Sequence, residues 1–118
     1  MSVYSTNVTS IGAEATLFKE EKIVILFGKD APDMLSAYCY NIELQPIHGE
    51  IKVGQQLFVN ETSYRITSVG SLVNDNLKEL GHITIKFDGS VKPELPGTLY
   101  VEGKEIVEIG IKTKISIK

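Results

Sequence analysis

The chain has 118 residues, 42% of them hydrophobic and 23% charged, with a formal net charge of −3. That length holds one hydrophobic core and not two, and that composition excludes a disordered chain. Arg65 is the only arginine among twelve basic residues, which excludes the Arg-rich basic face typical of nucleic-acid readers.

No apolar run approaches the roughly 20 residues needed to cross a bilayer. Residues 1–10 have neither a basic start nor an apolar stretch, so no signal peptide is expected. A lone cysteine, Cys39, forms no internal disulfide. These features together predict a cytoplasmic protein.

Ten Val, fourteen Ile and eight Thr stand against four Ala. β-branched side chains favour the pleated strand and Ala the helix, so a β protein is expected. Residues 4–11 read as a first strand ending at Gly12. The apolar run 22–27 reads as a strand buried on both faces, stopped by Gly28. Gly28-Lys29-Asp30 is a turn, and Asp30 can cap a short helix that carries Met34, Leu35 and Tyr38 on one face. Residues 40–54 have poor periodicity and three turn formers, Pro46, Gly49 and Gly54. They read as a loop with an extended piece at a sheet edge.

Residues 56–59 and 63–69 form two strands around an Asn60-Glu61-Thr62 hairpin loop. Residues 74–80 read as a short helix, capped by Asn74 or Asp75 and ended by Gly81. Residues 82–87 alternate as a strand, and Asp88-Gly89 turns. The last hairpin is predicted from residues 98–101 across Glu102-Gly103 into a long alternating strand from Ile106 onward. Its lysines would blunt an exposed sheet edge, and the same strand could pair with a second copy, so a homodimer is open. So many short strands at close spacing predict an all-β fold. It is a small closed or partly open β-barrel of short antiparallel strands with one or two short helices, filling a single domain over residues 1–118.

Chemistry-bearing residues are few. No Cys pair or His cluster has metal-ligand spacing, and no phosphate-loop, dinucleotide or nucleophile-elbow motif is present, so no metal and no cofactor is expected. His48 lies in Pro46-Ile47-His48-Gly49-Glu50, an exposed turn in which Glu50 could orient the ring as a phosphorylatable or basic imidazole. His82 follows Gly81 at the entry to a strand, at the mouth of the barrel or bonded to nearby backbone. Cys39 sits at a helix C-terminus, where the dipole opposes ionisation, and reads as a packed hydrophobe. Val69-Gly70-Ser71 could present backbone N–H groups to an anion.

Val69-Gly70-Ser71, the run from Asn76 to Ile85 (NLKELGHITI) and Phe87-Asp88-Gly89 together resemble the central motif of a known family. It is the glucitol/sorbitol-specific IIA family of the bacterial phosphoenolpyruvate-dependent sugar phosphotransferase system (PTS). Pro96-Gly97-Thr98, Ile11-Gly12-Ala13 and Ile25 to Phe27 followed by Ala31-Pro32 extend the resemblance over nearly the whole chain. The resemblance implies a cytoplasmic all-β domain. It takes a phosphoryl group from the phosphocarrier HPr onto a histidine and passes it to a sugar-specific IIB component. In the family that histidine comes three residues past the cysteine, and an ungapped match puts Ile42 there. Ile carries no phosphoryl group. His48 becomes the acceptor if His48-Gly49-Glu50 is realigned with an insertion and a deletion, and His82 is a second candidate or a supporting residue. The alternative is a binding or regulatory module that keeps the fold without the acceptor.

Overall fold

The structure, a computed structural model, describes residues 2–28 and 31–118. The β-branched stretches form eight strands: β1 (Tyr4–Ile11), β2 (Ile23–Phe27), β3 (Tyr40–Ile42), β4 (Gln56–Val59), β5 (Thr62–Val69), β6 (Ile83–Lys86), β7 (Thr98–Val101) and β8 (Lys114–Ile117). Among the described residues two α-helices accompany them, α1 (Asp33–Ser36) and α2 (Val73–Leu80), with a short 3-10 turn at Lys19–Glu21. The strands close in the order β1-β3-β2-β6-β7-β5-β4-β8, with β8 returning to β1. Closure removes every free sheet edge, so the barrel itself manages the hazard that edge lysines would otherwise address.

Several sequence expectations change. The β2–β3 and β6–β7 pairings are parallel, while the other pairs are antiparallel. β3 is not an edge piece but lies between β1 and β2. No hairpin crosses Glu102-Gly103: β7 pairs with β5 and β6, while β8 pairs with β1 and β4. The long alternating strand shrinks to β8. Ile106 and Ile109 are buried, but Ile111 is 62% exposed, so the alternation of types does not carry through as alternation of burial. With β8 paired on both sides, pairing along that strand gives no route to a dimer.

The α1 expectation also shifts. The helix has four residues and Met34 is 87% exposed, so Met34 and Leu35 do not form a buried face. The proposed cap, Asp30, lies outside the described residues. The hairpin loop between β4 and β5 is Asn60-Glu61, with Thr62 already paired to Val59. Asn60 takes the left-handed φ of 55° that such a tight loop needs. At α2 the N-cap is Leu72 with no side-chain cap bond, while Gly81 ends the helix as expected, at φ 68°.

The irregular segment from Glu102 to Thr113 is tied down by Tyr64. This side chain is fully buried and packs edge-on to Phe87 at 4.8 Å. Its hydroxyl donates to the Glu105 carbonyl at 2.8 Å and accepts from the Val107 N–H at 3.1 Å. Tyr64→Phe therefore strips two backbone groups of their partner and should cost about 2 kcal/mol. Chemical denaturation checks this, and a variant as stable as the parent would mean the segment is held elsewhere.

Tyr4 is the opposite case. It is 1% exposed, and its hydroxyl meets no hydrogen-bond partner among the described residues. The nearby Thr6 hydroxyl donates instead to the Glu43 carbonyl. Burial pushes the Tyr4 phenol up to about 12, with Thr6 opposing only in part. The folded value lies above the unfolded one, near 10, so the unfolded chain gives up its proton first. Tyr4 thus adds no penalty below about pH 10 and destabilises the fold increasingly as the pH rises toward 12. Tyr4→Phe should flatten this alkaline loss in thermal melts at pH 9 to 11 and should not destabilise the protein at pH 7.

Candidate functional site at the β2–α2 junction

The end of β2 and the end of α2 meet at two glycines. The Gly28 N–H donates to the Leu80 carbonyl at 3.1 Å. A Cβ on Gly28 would fall 2.7 Å from that oxygen, and one on Gly81 would fall 3.0 Å from the Gly28 nitrogen. Only residues without side chains let the two backbones come so close. The chain then turns through Gly81 and enters β6, delivering His82 beside β2.

His82 is held on two sides. Its Nδ1 lies 3.2 Å from the Leu26 carbonyl oxygen. A carbonyl only accepts, so this contact is a hydrogen bond when Nδ1 carries the proton, and in that tautomer the lone pair lies on Nε2. Phe27 stacks on the imidazole with ring centres 4.5 Å apart and planes 26° from parallel. The ring is half-buried.

Phe27 also lines a cleft of about 490 Å³, shared with Thr9, Gly28, Ile42, Glu43, Leu44, Glu79 and Leu80. Ile42 is 1% exposed and forms its floor. Leu44 and Leu80 are about half exposed at its rim, beside the carboxylates of Glu43 and Glu79. Phe27 pairs with Asn41 across β2–β3, and Leu26 pairs with Ile83 across β2–β6. His82 and the Ile42 position therefore lie at one level of the barrel, two strand spacings or about 10 Å apart.

His48 lies elsewhere. After β3 the chain runs back along β1, and the His48 N–H donates to the Val3 carbonyl at 2.7 Å. Val8 faces Ile42, so His48 is five residues of β1, about 17 Å, from the cleft. Its side chain is exposed and bonds nothing among the described residues. The Glu50 carbonyl takes a bond from Gln55 Nε2, and the Glu50 carboxylate makes no bond to the His48 ring.

Cys39 is fully buried and its thiol donates to the Leu35 carbonyl at 3.1 Å. Burial pushes the thiol up, as a packed hydrophobe requires. Among the described residues no cluster of His, Cys, Asp and Glu is arranged to hold a metal, and no helix is long and apolar enough to cross a membrane.

Two site features escape a reading of the sequence, the Leu26 carbonyl and the Phe27 ring. Both belong to a strand that reads as plain core. Only the β2–β6 register brings them to His82, and no local signal encodes that register.

Comparison with known proteins agrees with this architecture. Residues 3–116 match the family model described as the PTS system glucitol/sorbitol-specific IIA component. The chain is 40% identical over 101 residues to the PTS system glucitol/sorbitol-specific EIIA component of Shigella flexneri, and 39% identical to that of Escherichia coli (strain K12). Each match covers 86% of this chain and 82% of the relative. The crystal structure of a PTS system IIA component from Enterococcus faecalis V583 has a similar fold, with a TM-score of 0.81 and 30% identity, over 95% of this chain and 97% of that one. The chain belongs to the glucitol/sorbitol-specific IIA component family of the PTS.

Proposed function

We propose that this protein is a cytoplasmic phosphorelay component of the glucitol/sorbitol type, working as a single domain over residues 1–118. It takes a phosphoryl group from phospho-HPr and hands it to a IIB component, with His82 as the acceptor. One observation carries the choice of residue: the Leu26 carbonyl holds the Nδ1 proton of His82 and leaves the Nε2 lone pair free beside a docking-sized cleft.

The step balances simply. Nε2 attacks phosphorus, the new P–N bond forms, and the P–N bond to the donor histidine breaks. The donor ring leaves with the electron pair and then takes up a proton. Positive charge grows on the His82 ring during attack, and the Leu26 carbonyl dipole stabilises it. The stacked Phe27 limits ring rotation, so attack begins from one orientation. The half-exposed Leu44 and Leu80 with Glu43 and Glu79 suit partners that present apolar side chains beside basic ones.

Ile42 supports a second reading, a docking or regulatory module without an acceptor, because an ungapped match to the family puts it at the acceptor position and its side chain is apolar and buried. A phosphorelay reaction with purified enzyme I, HPr and phosphoenolpyruvate separates the two. Acid-labile phosphate on His82 supports the relay. No label at all, while an authentic family relative is labelled in parallel, supports the module.

A further inference from the structure

The second end of α2 carries a feature that the relay does not use. A cleft of about 540 Å³ lies there, lined by Glu50, Lys52, Ser68, Gly70, Ser71 and Asn74 among others. We propose that it binds a small oxyanion, a phosphate or a phosphate monoester.

Ser68 makes the first argument. Strict alternation along β5 would put Ser68 in the barrel interior with Tyr64 and Ile66. A bulge between Ile66 and Ser68 sets Ser68 opposite Tyr100, while Val69 pairs with the core residue Leu99. Ser68 is only 3% exposed. Its neighbour Thr67 bonds the Ser90 and Tyr100 carbonyls, but the Ser68 hydroxyl bonds no atom among the described residues. It opens onto the cleft, whereas the hydroxyl of Tyr4 is sealed in. The cleft thus leaves the Ser68 hydroxyl open to solvent or to a ligand.

The helix start makes the second. Around it, the N–H groups of Gly70, Leu72, Val73 and Asn76 donate to the carbonyls of Thr98, Pro96, Gly70 and Leu72. Those of Ser71, Asn74 and Asp75 find no acceptor among the described residues. They open the positive end of α2 beside the cleft.

Asn74 explains how a cation joins them. Instead of capping α2, its side chain accepts from the Ile51 N–H at 2.8 Å and donates to the Ile51 carbonyl at 3.3 Å. This clamps residues 50–53 over the helix start and places Lys52 on the cleft wall. Glu50 on the same wall opposes a negative ligand, so the site favours an anion that carries a proton or a single ester link and binds it weakly.

The test is a titration followed by amide NMR on unphosphorylated protein, so its outcome does not depend on the relay. The probes are inorganic phosphate and glycerol 3-phosphate, with sodium chloride at matched ionic strength as the control. The expected result is saturable shifts confined to Ser68–Asp75 and Lys52, each about fivefold weaker in affinity in Lys52→Met and Ser68→Ala. Lys52 is exposed, so Lys52→Met keeps the test open if Ser68→Ala fails to fold. Tighter binding of the glycerol ester would identify an esterified ligand, and tighter binding of inorganic phosphate the free ion. Shifts that chloride reproduces, that spread over all surface lysines, or that survive both substitutions would overturn the proposal.

Discussion

His82→Ala is expected to abolish labelling by phospho-HPr, and His48→Ala to leave it essentially intact. The argument is chemical and geometric. The acceptor must offer a ring nitrogen with a free lone pair, held still, on a face that two partners can reach in turn. His82 has Nδ1 committed to the Leu26 carbonyl, a stacked Phe27, and a cleft with an apolar and acidic rim next to it. His48 has a free-turning ring about 17 Å away along β1. The same geometry dictates the linkage: phosphate should sit on Nε2, because Nδ1 is occupied, and phosphorus NMR of the denatured labelled protein would read this directly. Phe27→Leu should slow labelling several-fold while the fold persists, since it frees the ring without removing the nucleophile. Recovery of the label on the peptide containing His48 would refute the assignment.

Gly70→Ala should destabilise the protein by about 3 kcal/mol and lower its melting temperature by roughly 10 °C. The reason is steric. A Cβ there would lie 2.3 Å from the Pro96 carbonyl oxygen and 2.5 Å from that of Leu95. Both are backbone atoms, so relief requires the 93–97 segment to move. That segment accepts the Leu72–Pro96 hydrogen bond and leads directly into Thr98, which accepts from Gly70, so the movement would weaken both. Gly110→Ala is the matched control. Its Cβ would stand 4.0 Å from the Thr113 hydroxyl, an ordinary contact, and the change should be neutral or slightly stabilising through the unfolded chain. Equal melting temperatures for the two variants would show that the 93–97 segment yields freely.

The chain by itself determined its fold class. β-branched residues in short runs, punctuated by glycine turns, leave few alternatives to a small barrel, and the Val69–Gly89 motif identifies the family. Strand existence was legible wherever a strand is buried on one or both faces, as in β1, β2, β5 and β6, because burial dictates composition. Tertiary structure alone decided the rest. The alternation from Ile106 onward looked like a strand, yet most of it is irregular. Tyr64 supplies hydrogen bonds there that a neighbouring strand would otherwise have supplied. Asn74 looked like a cap and is a clamp on Ile51, a residue 23 positions away. Local sequence says which hydrogen bonds a side chain is able to make but not which distant backbone will meet it. The site follows the same rule. The presence of two histidines is in the sequence, but their unequal standing comes from the β2–β6 register, which brings the Leu26 carbonyl and the Phe27 ring to one of them.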